Sequence, residues 1–470
     1  MRKTKIVCTI GPASASEKVL AQLMDAGMNV ARLNFSHGTH EKHRKVIQSI
    51  RSIAEKKGLP VAILQDLAGP KIRVGQFENG PIELKAGQSF VLTTTQVPGD
   101  EQQVSVTYPK LPQEVKARDR ILLADGSIEL LVKKTEAKRV TCEVLVGGEL
   151  SSHKGINLPG SILSVKALTE KDRADLHFGL EQGVDYVAMS FVRRRQDILP
   201  IKAIMQQRKT HAPIIAKIEK HEALDNLDEI IEEVDGIMVA RGDLAVETAL
   251  EKVPLVQKML IKKCNQVGKP VITATQMLKS MVENPRPTRA EANDVANAVI
   301  DGTDAVMLSE ETAVGQHPVA AVKIMNRIIA VTEKEGPATP ARRRRRDDTP
   351  ASIERAVSRG AYEIALDINA SAIITPTDSG STARLVSTYR PAQPIIAWCH
   401  RPQVMRCLNL VWGIYPLLAK QYYNSDEMLE QAKQAALNSG LVKKGQRVVI
   451  TAGLPVGQPG RTNLIKVDVL

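Results

Sequence analysis

The chain has 470 residues, a formal net charge of +12 and a hydrophobic fraction of 43%. At roughly 150 residues per domain, this length predicts two to four domains, and the apolar content excludes a disordered or low-complexity protein. Aromatic residues make up only 3% of the chain, which argues against binding of single-stranded nucleic acid by base stacking.

The 5 cysteines include no CxxC pair and are odd in number, so they predict neither a disulfide framework nor a zinc site. The basic N-terminus precedes an apolar stretch that is too short for a signal peptide, and no apolar run approaches the roughly 18 residues of a membrane span. We therefore expect a cytoplasmic protein that does not bind membranes. Its mostly diffuse positive charge suits small anionic substrates as well as a polyanion.

Eight short apolar, β-branched runs recur along the first part of the chain, and helical patterns follow them. They are Lys5–Ile10, Val30–Ser36, Val61–Leu67, Val184–Val192, Ile214–Glu219, Gly236–Asp243, Pro270–Met277 and Ala305–Ser309. Helix N-caps are predicted at Ser16, Thr169 and Thr288. Eight strand–helix units predict a closed (β/α)8 TIM barrel over 1–68 and 167–335, with an open doubly wound sheet as the alternative.

The long gap between the third and fourth runs predicts a domain inserted into the barrel, at 69–166. Turn signals such as Asn79-Gly80 and Asp125-Gly126 separate short alternating runs there, including Arg139–Val146. Short alternating strands between tight turns are typical of a small β-barrel domain.

A breaker follows the eighth unit. The segment 336–350 holds three prolines and the run Arg342–Arg346, and we interpret it as an exposed linker. Nucleic-acid binding is the weaker interpretation, because cations without nearby aromatic residues give only weak, salt-sensitive contacts. The rest of the chain, 351–470, alternates strand and helix patterns and predicts a C-terminal α/β domain of three layers.

Polar side chains interrupt the predicted barrel strands near their C-terminal ends, where the active sites of barrels form. The groups are Arg32, Asn34 and Ser36; Asp66; Lys217 and Glu219; Arg241 and Asp243; Thr273 and Thr275; and Ser309. Positions two apart on a strand share a face, so these groups are expected at one mouth. A single pair is as well explained by a buried ion pair, but charges on several strands indicate a ligand.

Glu219 and Asp243 are the candidate ligands of Mg²⁺ or Mn²⁺, since two carboxylates completed by water and substrate oxygens are typical of this ion. Lys217, Arg32 and Arg73 are candidate anion-binding groups. Cations beside a divalent metal suit phosphoryl transfer, where catalysis is mainly positioning and charge neutralisation. The chain has neither a GxxxxGK[ST] loop nor a GxGxxG loop opening a helix, so any nucleotide must be held by another geometry.

Six segments together resemble the pyruvate kinase family. They are 5–12 (KIVCTIGP), 31–38 (ARLNFSHG), 238–243 (MVARGD), 272–277 (ITATQM), 284–291 (NPRPTRAE) and 301–308 (DGTDAVML). The resemblance implies transfer of the phosphoryl group of phosphoenolpyruvate to ADP, which gives pyruvate and ATP in the last step of glycolysis. It also implies a homotetramer.

Carried over to the matching positions, the resemblance implies that Arg32 contacts the transferred phosphoryl group and that Lys217 neutralises its charge in the transition state. Glu219 and Asp243 would hold the divalent ion. The backbone amides of Gly242 and Asp243, with Thr275, would bind the substrate carboxylate.

The resemblance further implies that Arg73 and Lys154 hold the phosphates of ADP, with the inserted domain closing over the nucleotide as a lid. Thr275 and Ser309 are both candidates for relaying a proton to the enolate, and the sequence does not choose between them. The sequence departs from the family at Ala245, where glycine is usual, and at Glu310, where a small residue is usual.

Asn34, Ser36, Asp66 and the carbonyl of Leu67 resemble the K⁺ site of the family. Leu67 stands where threonine is common, and Lys71 stands where the K⁺-dependent enzymes have glutamate. An ammonium group near this site would supply charge that K⁺ otherwise provides. The departures therefore predict that activity needs little or no K⁺, as in the K⁺-independent branch of the family. The alternative is a solvated Lys71 with K⁺ still required.

The C-terminal domain contains a run of hydroxyl and glycine residues between a predicted strand and a predicted helix. The candidate effector-binding residues are Thr377, Ser379, Gly380, Ser381 and Thr382. Amides and hydroxyls at such a point suit phosphate, and the resemblance implies a phosphorylated allosteric effector there, with the loop 453–460 nearby. The alternative is a capped helix beside a plain loop.

Two other functions compete with the kinase. A Mg²⁺-dependent lyase or aldolase acting on a pyruvate enolate would share the metal and the carboxylate pocket, but it would not need Arg73, Lys154 or the inserted domain. A non-enzymatic regulator that binds phosphorylated ligands would leave the charges of the barrel unexplained.

Overall fold

The computed structural model describes residues 2–160, 164–336, 351–420, 422–455 and 461–470. The run Arg342–Arg346 and residues 456–460 of the predicted second effector loop lie outside them. Among the helices of the described residues, none combines the length and apolar character needed to cross a membrane.

Eight parallel strands form a closed barrel, as the sequence predicts, and the open sheet is excluded. In chain order they are Lys5–Ile10, Val30–Asn34, Ala62–Asp66, Tyr186–Met189, Ile214–Ile218, Gly236–Ala240, Val271–Ala274 and Ala305–Leu308. The helices around them are Glu17–Ala26, His40–Lys57, Glu170–Glu181, Arg195–Gln207, Glu222–Asp225, Leu227–Glu233, Arg241–Glu247, Val253–Val267, Arg289–Asp301, Glu310–Ala313 and Pro318–Glu335, with 3₁₀ turns at Leu250–Lys252 and Lys279–Val282.

The three predicted N-caps are confirmed. The side chains of Ser16, Thr169 and Thr288 accept hydrogen bonds from backbone amides in the first turn of their helices. At Thr169 and Thr288 the residue three positions later reciprocates, which forms capping boxes. These caps satisfy amides that would otherwise lack partners at helix starts.

The segment between the third and fourth barrel strands is all-β with its own apolar core, as predicted. Its strands are Ile82–Leu84, Ser89–Thr93, Gln103–Ser105, Arg120–Leu123, Ile128–Glu136, Arg139–Val146, Gly148–Leu150 and Ile156–Asn157, with a helix at Leu111–Glu114 and a 3₁₀ turn at Ala124–Gly126. Six of these strands form one sheet, and the strands 148–150 and 82–84 pair separately.

The C-terminal domain is a five-stranded sheet between helices, as predicted. Its strands are Ala372–Pro376, Ile395–Cys399, Ile414–Leu418, Arg447–Ala452 and Leu464–Val469, and its helices are Ile353–Asp367, Ser381–Ser387, Pro402–Leu408 and Ser425–Asn438. Two of these helices, Ile353–Asp367 and Pro402–Leu408, are not predicted by the sequence pattern. The second has no side-chain cap at its start and spans only seven residues, which leaves a weak helical period.

The C-terminal domain closes the bottom of the barrel. Cys407 and Leu410 pack into the same apolar cluster as the inward-facing residues of the barrel strands. At the same contact between the two domains, the buried Asp185 accepts hydrogen bonds from Arg51 and Arg406, each at 2.7 Å. The buried Asp304 likewise pairs with Arg390 at 3.2 Å.

The predicted strands extend too far at their C-terminal ends. Strand six ends at Ala240, so Arg241 and Asp243 lie in the first turn of a helix rather than on the strand. Strand seven ends at Ala274, and Thr275 follows in the left-handed backbone region at φ 69°. Both departures place functional groups on the turns that leave the barrel mouth.

We expect the substitution Asp185→Ala to destabilise the protein by about 3–5 kcal/mol, because it leaves two arginines beside a buried site without their carboxylate. The first transition of a thermal unfolding scan should therefore move down by several degrees. Asp25→Ala is the matched control, since Asp25 forms an exposed pair with Lys57, and such pairs contribute about 0–1 kcal/mol. Equal shifts for the two variants would contradict the prediction.

Candidate active site

Lys217 lies at the centre of the barrel mouth, near the end of the strand Ile214–Ile218. Its ammonium nitrogen lies 2.8 Å from Glu219 Oε1, 3.3 Å from Asp66 Oδ1 and 2.7 Å from Ser190 Oγ. Burial lowers the pKa of Lys217, but the Asp66 and Glu219 carboxylates outweigh it and raise the pKa above the usual lysine range. Lys217 is therefore a fixed positive charge.

Arg32, on the strand Val30–Asn34, belongs to the same cluster. Its Nε donates to Asp66 Oδ2 at 2.6 Å and its Nη1 donates to Thr9 Oγ1 at 2.9 Å. Burial raises the pKa of Asp66, but Lys217 and Arg32 outweigh it and hold the pKa below its usual value. Asp66 therefore stays ionised and fixes both cations at the mouth.

Glu219 follows the strand that carries Lys217, and its side chain is only 1% exposed. Its second oxygen accepts the backbone amide of Phe191 at 2.7 Å. Burial raises its pKa, Lys217 lowers it in part, and the nearby Asp243 raises it again. A second carboxylate that raises the pKa of Glu219 indicates a site that a cation stabilises.

This pair fits Mg²⁺ by its chemistry. Both ligands are hard oxygen donors, and within the described part of the chain no group of three or more His, Cys, Asp and Glu could hold a metal ion. Two protein carboxylates with the remaining positions left to water and substrate are the usual arrangement for Mg²⁺ at phosphate sites.

Gly242 and Thr275 are brought together as the sequence predicts. The Gly242 amide donates to Thr275 Oγ1 at 2.8 Å, and that hydroxyl donates to the Ala274 carbonyl at 2.6 Å. The charge of Arg241, expected at the mouth with the others, is bound by protein groups and is not left for a ligand. Its guanidinium pairs with Asp294 and donates to the Thr275 carbonyl at 2.8 Å, so it holds the turn that carries Thr275.

Ser309 follows the last barrel strand, where it was predicted. Its amide donates to Glu311 Oε2 at 2.7 Å. The structure thus places both proton-relay candidates, Thr275 and Ser309, on turns at the mouth. Of the two departures from the family, Ala245 lies inside the helix Arg241–Glu247 and needs no positive φ, and Glu310 pairs with Lys279 on the surface.

A cleft with an empty volume of about 640 Å³ lies between the mouth and the inserted domain. It is lined from the barrel by Asp243 and Lys220 and from the insertion by Lys71 and Asn157. The two predicted nucleotide-binding residues, Arg73 and Lys154, belong to adjoining segments of the inserted domain, where Arg73 pairs with the residue after Lys154. Both side chains are free of carboxylate partners among the described contacts, with Arg73 Nη1 donating to the His153 carbonyl at 2.8 Å.

The predicted K⁺-site residues lie at the ends of the second and third strands. Asn34 Oδ1 accepts the Ser36 amide at 3.1 Å, and the Leu67 carbonyl accepts the Ser190 hydroxyl at 2.8 Å. The ammonium nitrogen of Lys71 lies 3.8 Å from Asp125, which is 76% exposed. Such an exposed carboxylate compensates the charge of Lys71 only weakly.

The predicted effector residues form one compact turn after the strand Ala372–Pro376. Thr377 Oγ1 accepts the Gly380 amide at 3.0 Å, Ser379 and Ser381 share a hydrogen bond at 3.1 Å, and Gly380 has φ 81°. Thr382 bonds to Thr462 at 2.8 Å, which links this turn to the segment after the neighbouring strand.

Sequence reasoning missed Ser190 and Phe191, which hold Lys217 and Glu219 from the turn after the fourth strand. A serine at the end of an otherwise apolar run was the available signal. The bond made by Phe191 uses its backbone amide, and Phe191 has φ 56°, so no side-chain pattern could reveal it.

Comparison with known proteins identifies the family. The family model "Pyruvate kinase, barrel domain" matches residues 1–322, and "Pyruvate kinase, alpha/beta domain" matches residues 355–468. A pyruvate kinase from Geobacillus stearothermophilus is 53% identical over the whole chain and 80% of its own length, and one from Staphylococcus aureus is 48% identical over the whole chain and 81% of its own.

Among solved structures, a pyruvate kinase from Cryptosporidium parvum superposes with a TM-score of 0.91 at 40% identity, covering 100% of this chain and 96% of that one. Fold, motifs and full-length relatives agree. The chain therefore belongs to the pyruvate kinase family, and its activity is that of a phosphotransferase.

Proposed function

We propose how the pyruvate kinase reaction, in which phosphoenolpyruvate and ADP give pyruvate and ATP, runs on this chain. The observation that carries the proposal is the buried cluster at the barrel mouth, where Arg32 and Lys217 face Asp66 and Glu219 beside the cleft. The two alternatives lose their support, because neither a lyase nor a binding regulator accounts for full-length pyruvate kinase relatives.

Arg32 and Lys217 act on the phosphoryl group. Arg32 contacts it in the bound substrate, and Lys217 neutralises the charge that it spreads over its oxygens during transfer. Because Asp66 and Ser190 already fix these cations, little reorganisation is needed at the moment of reaction, and such preorganised charge is usually the largest catalytic effect.

Glu219 and Asp243 would hold the divalent ion, Mg²⁺ or Mn²⁺. When bound, the ion would supply positive charge against the negative charge of the substrate. The amides of Gly242 and Asp243, at the start of a helix, and the Thr275 hydroxyl bind the substrate carboxylate, for which the Gly242–Thr275 bond gives way. Thr275 or Ser309 relays the proton to the enolate carbon.

Arg73 and Lys154 hold the phosphates of ADP from the inserted domain. Ile72, which directly precedes Arg73, lines the cleft from the inserted domain and Asp243 lines it from the barrel, so closure of the inserted domain would bring the two substrates together and exclude water. We propose 1–68 and 167–335 as the barrel, 69–166 as the lid, 336–350 as the linker and 351–470 as the effector domain.

Activity needs little or no K⁺ in this proposal. The support is Lys71, which lines the cleft and whose ammonium nitrogen lies 3.8 Å from the exposed Asp125, and Leu67, which offers no hydroxyl ligand. Asn34, Ser36, Asp66 and the Leu67 carbonyl would form the site if K⁺ binds.

The turn Thr377–Thr382 binds a phosphorylated effector, a sugar phosphate or a nucleotide. The support is the preformed turn: among the described residues, the Ser379 and Ser381 hydroxyls bond to each other, and the Ser379 hydroxyl also accepts the Ser381 amide. The homotetramer and the cytoplasmic location follow from the family alone, and the mass in solution, measured by light scattering, tests the tetramer.

Lys217→Met should lower kcat by about 10²–10³-fold, the loss typical of removing one preorganised transition-state donor. Steady-state assays with phosphoenolpyruvate, ADP and Mg²⁺ measure it. Lys263→Met is the matched control, since Lys263 pairs with the exposed Asp228 and should leave kcat unchanged. A Lys217 variant with kcat within tenfold of the unmodified chain would refute the assignment.

Replacing K⁺ by choline at constant ionic strength should lower the rate by less than tenfold. Lys71→Glu, which removes the ammonium and restores the residue of the K⁺-dependent enzymes, should make the rate strongly dependent on K⁺. The same titration of both proteins decides the matter. A tenfold or greater loss for the unmodified chain without K⁺ contradicts the prediction.

Ser381→Asp should abolish activation by phosphorylated compounds while sparing basal turnover, because a carboxylate repels a phosphate. Glucose 6-phosphate, ribose 5-phosphate and AMP are the probes. Ser425→Asp places the same charge at the start of another helix of this domain and should leave activation intact. Activation that survives Ser381→Asp would show that the effector binds elsewhere.

A further inference from the structure

A second buried ion pair lies in the floor of the cleft and has no part in the chemistry described above. Lys220 Nζ lies 2.5 Å from Glu247 Oε1, and the two side chains are 15% and 1% exposed. Lys220 also lies over the ring of Phe191, 5.9 Å from its centroid. Burying such charges costs desolvation free energy, and their attraction offsets this cost only where further hydrogen bonds fix the geometry.

The further hydrogen bond comes from the inserted domain. The side-chain amide of Asn157 donates to the same oxygen, Glu247 Oε1, at 3.0 Å. Asn157 is 7% exposed and lies on the strand Ile156–Asn157. The three residues Asn157, Lys220 and Glu247, which we call the junction, therefore join the barrel to the inserted domain through one carboxylate oxygen.

On the barrel side, the junction residues lie in the same chain segments as the proposed metal-binding carboxylates. Lys220 directly follows Glu219, and Glu247 ends the same short helix whose first turn carries Gly242 and Asp243. The junction therefore attaches the inserted domain to the barrel element that carries Gly242 and Asp243.

On the other side, the junction is tied to the nucleotide-binding residues. The Ile156 amide donates to the Ile72 carbonyl at 2.9 Å, and Arg73 pairs with Gly155 in a β-bridge. Lys154 is only three residues before Asn157. The position of Asn157 therefore fixes the backbone from which Arg73 and Lys154 extend.

Direct packing reinforces the contact. The side chain of Val246, next to Glu247, lies 3.7 Å from the point that a Cβ at Gly126 would occupy. The helix Arg241–Glu247 lies against the turn Ala124–Gly126 of the inserted domain, and the junction is the polar contact beside it.

We propose that Glu247 is a positioning residue that fixes the inserted domain over the barrel mouth, with Asn157 as its partner on the lid and Lys220 holding its carboxylate in place. The proposal rests on the nucleotide-binding roles proposed for Arg73 and Lys154. Loss of the junction lets the lid take orientations in which their cations miss the phosphates of ADP. The phosphoenolpyruvate pocket is built on the barrel alone, so its affinity changes little.

The substitution Asn157→Asp tests this with nearly the same side-chain shape. It places a second carboxylate against Glu247, which turns an attraction into a repulsion. The KM for ADP should rise about tenfold or more, with the KM for phosphoenolpyruvate within about twofold. The double variant N157D/E247Q restores one carboxylate, one amide and the ammonium at the junction, so the KM for ADP should return to within about threefold of the unmodified chain.

The matched control is Glu143→Gln, which breaks an exposed ion pair with Lys133 inside the inserted domain and should change neither KM. An unchanged KM for ADP in N157D, equal rises in both KM values, or no recovery in the double variant overturns the proposal. Lys154→Met in the same assay separates the two hypotheses. If it leaves the KM for ADP unchanged, the nucleotide assignment is wrong, whereas a rise with no effect of N157D refutes the junction alone.

Discussion

The burial of four charged side chains at the barrel mouth is the constraint on which the rest of the structure depends. Asp66 and Glu219 are each 1% exposed, and their partners Arg32 and Lys217 are 11% and 12% exposed. Removing each ion from water costs several kcal/mol, which mutual attraction offsets only at short, fixed distances. The scaffold must therefore hold the ends of the second, third and fifth strands, and the turn at Ser190 after the fourth, in strict register. A closed barrel does this, because each strand is bonded on both sides.

The same constraint explains the closed bottom of the barrel. Asp304 precedes the last strand, accepts the amide of Val271 at the start of the strand before it, and accepts the amide of Trp412 from the C-terminal domain. Its guanidinium partner, Arg390, also comes from that domain. The strands that precede Thr275 and Ser309 are thus fixed at their other ends by the C-terminal domain. That domain is part of the mechanical support of the active site, whatever ligand it binds.

The features that could be predicted from sequence are those that one segment encodes by itself. Short apolar, β-branched runs predict the eight strands, and side chains such as Thr288 predict the helix starts, because burial and capping are local. The polar residues at the strand ends gave the site, since the fold brings all such ends to one mouth. Lys217, Glu219 and Asp66 needed no contact information beyond this.

The features that were missed depend on partners distant in the chain. Thr275 and Gln276 both have positive φ without being glycine, and no local residue signals that turn. Arg241 imposes it by binding the carbonyls of Ala274 and Thr275 from another strand end. The sequence pattern also extends strand six to Asp243, because no local residue marks the start of the helix at Arg241. Only the three-dimensional structure shows which of these charges face the barrel mouth and which hold the turns in place.

Neighbouring residues on these turns divide the work between chemistry and support. Lys217 and Glu219 face the barrel mouth, while Lys220, one step further, faces Glu247 and the inserted domain. The helix whose first turn contains Gly242 and Asp243 ends at Glu247, which binds Asn157 of the inserted domain. A helix of seven residues is only roughly 10 Å long, so the contact between the two domains lies within that distance of these residues. One short helix therefore carries both groups at the barrel mouth and the attachment of the inserted domain.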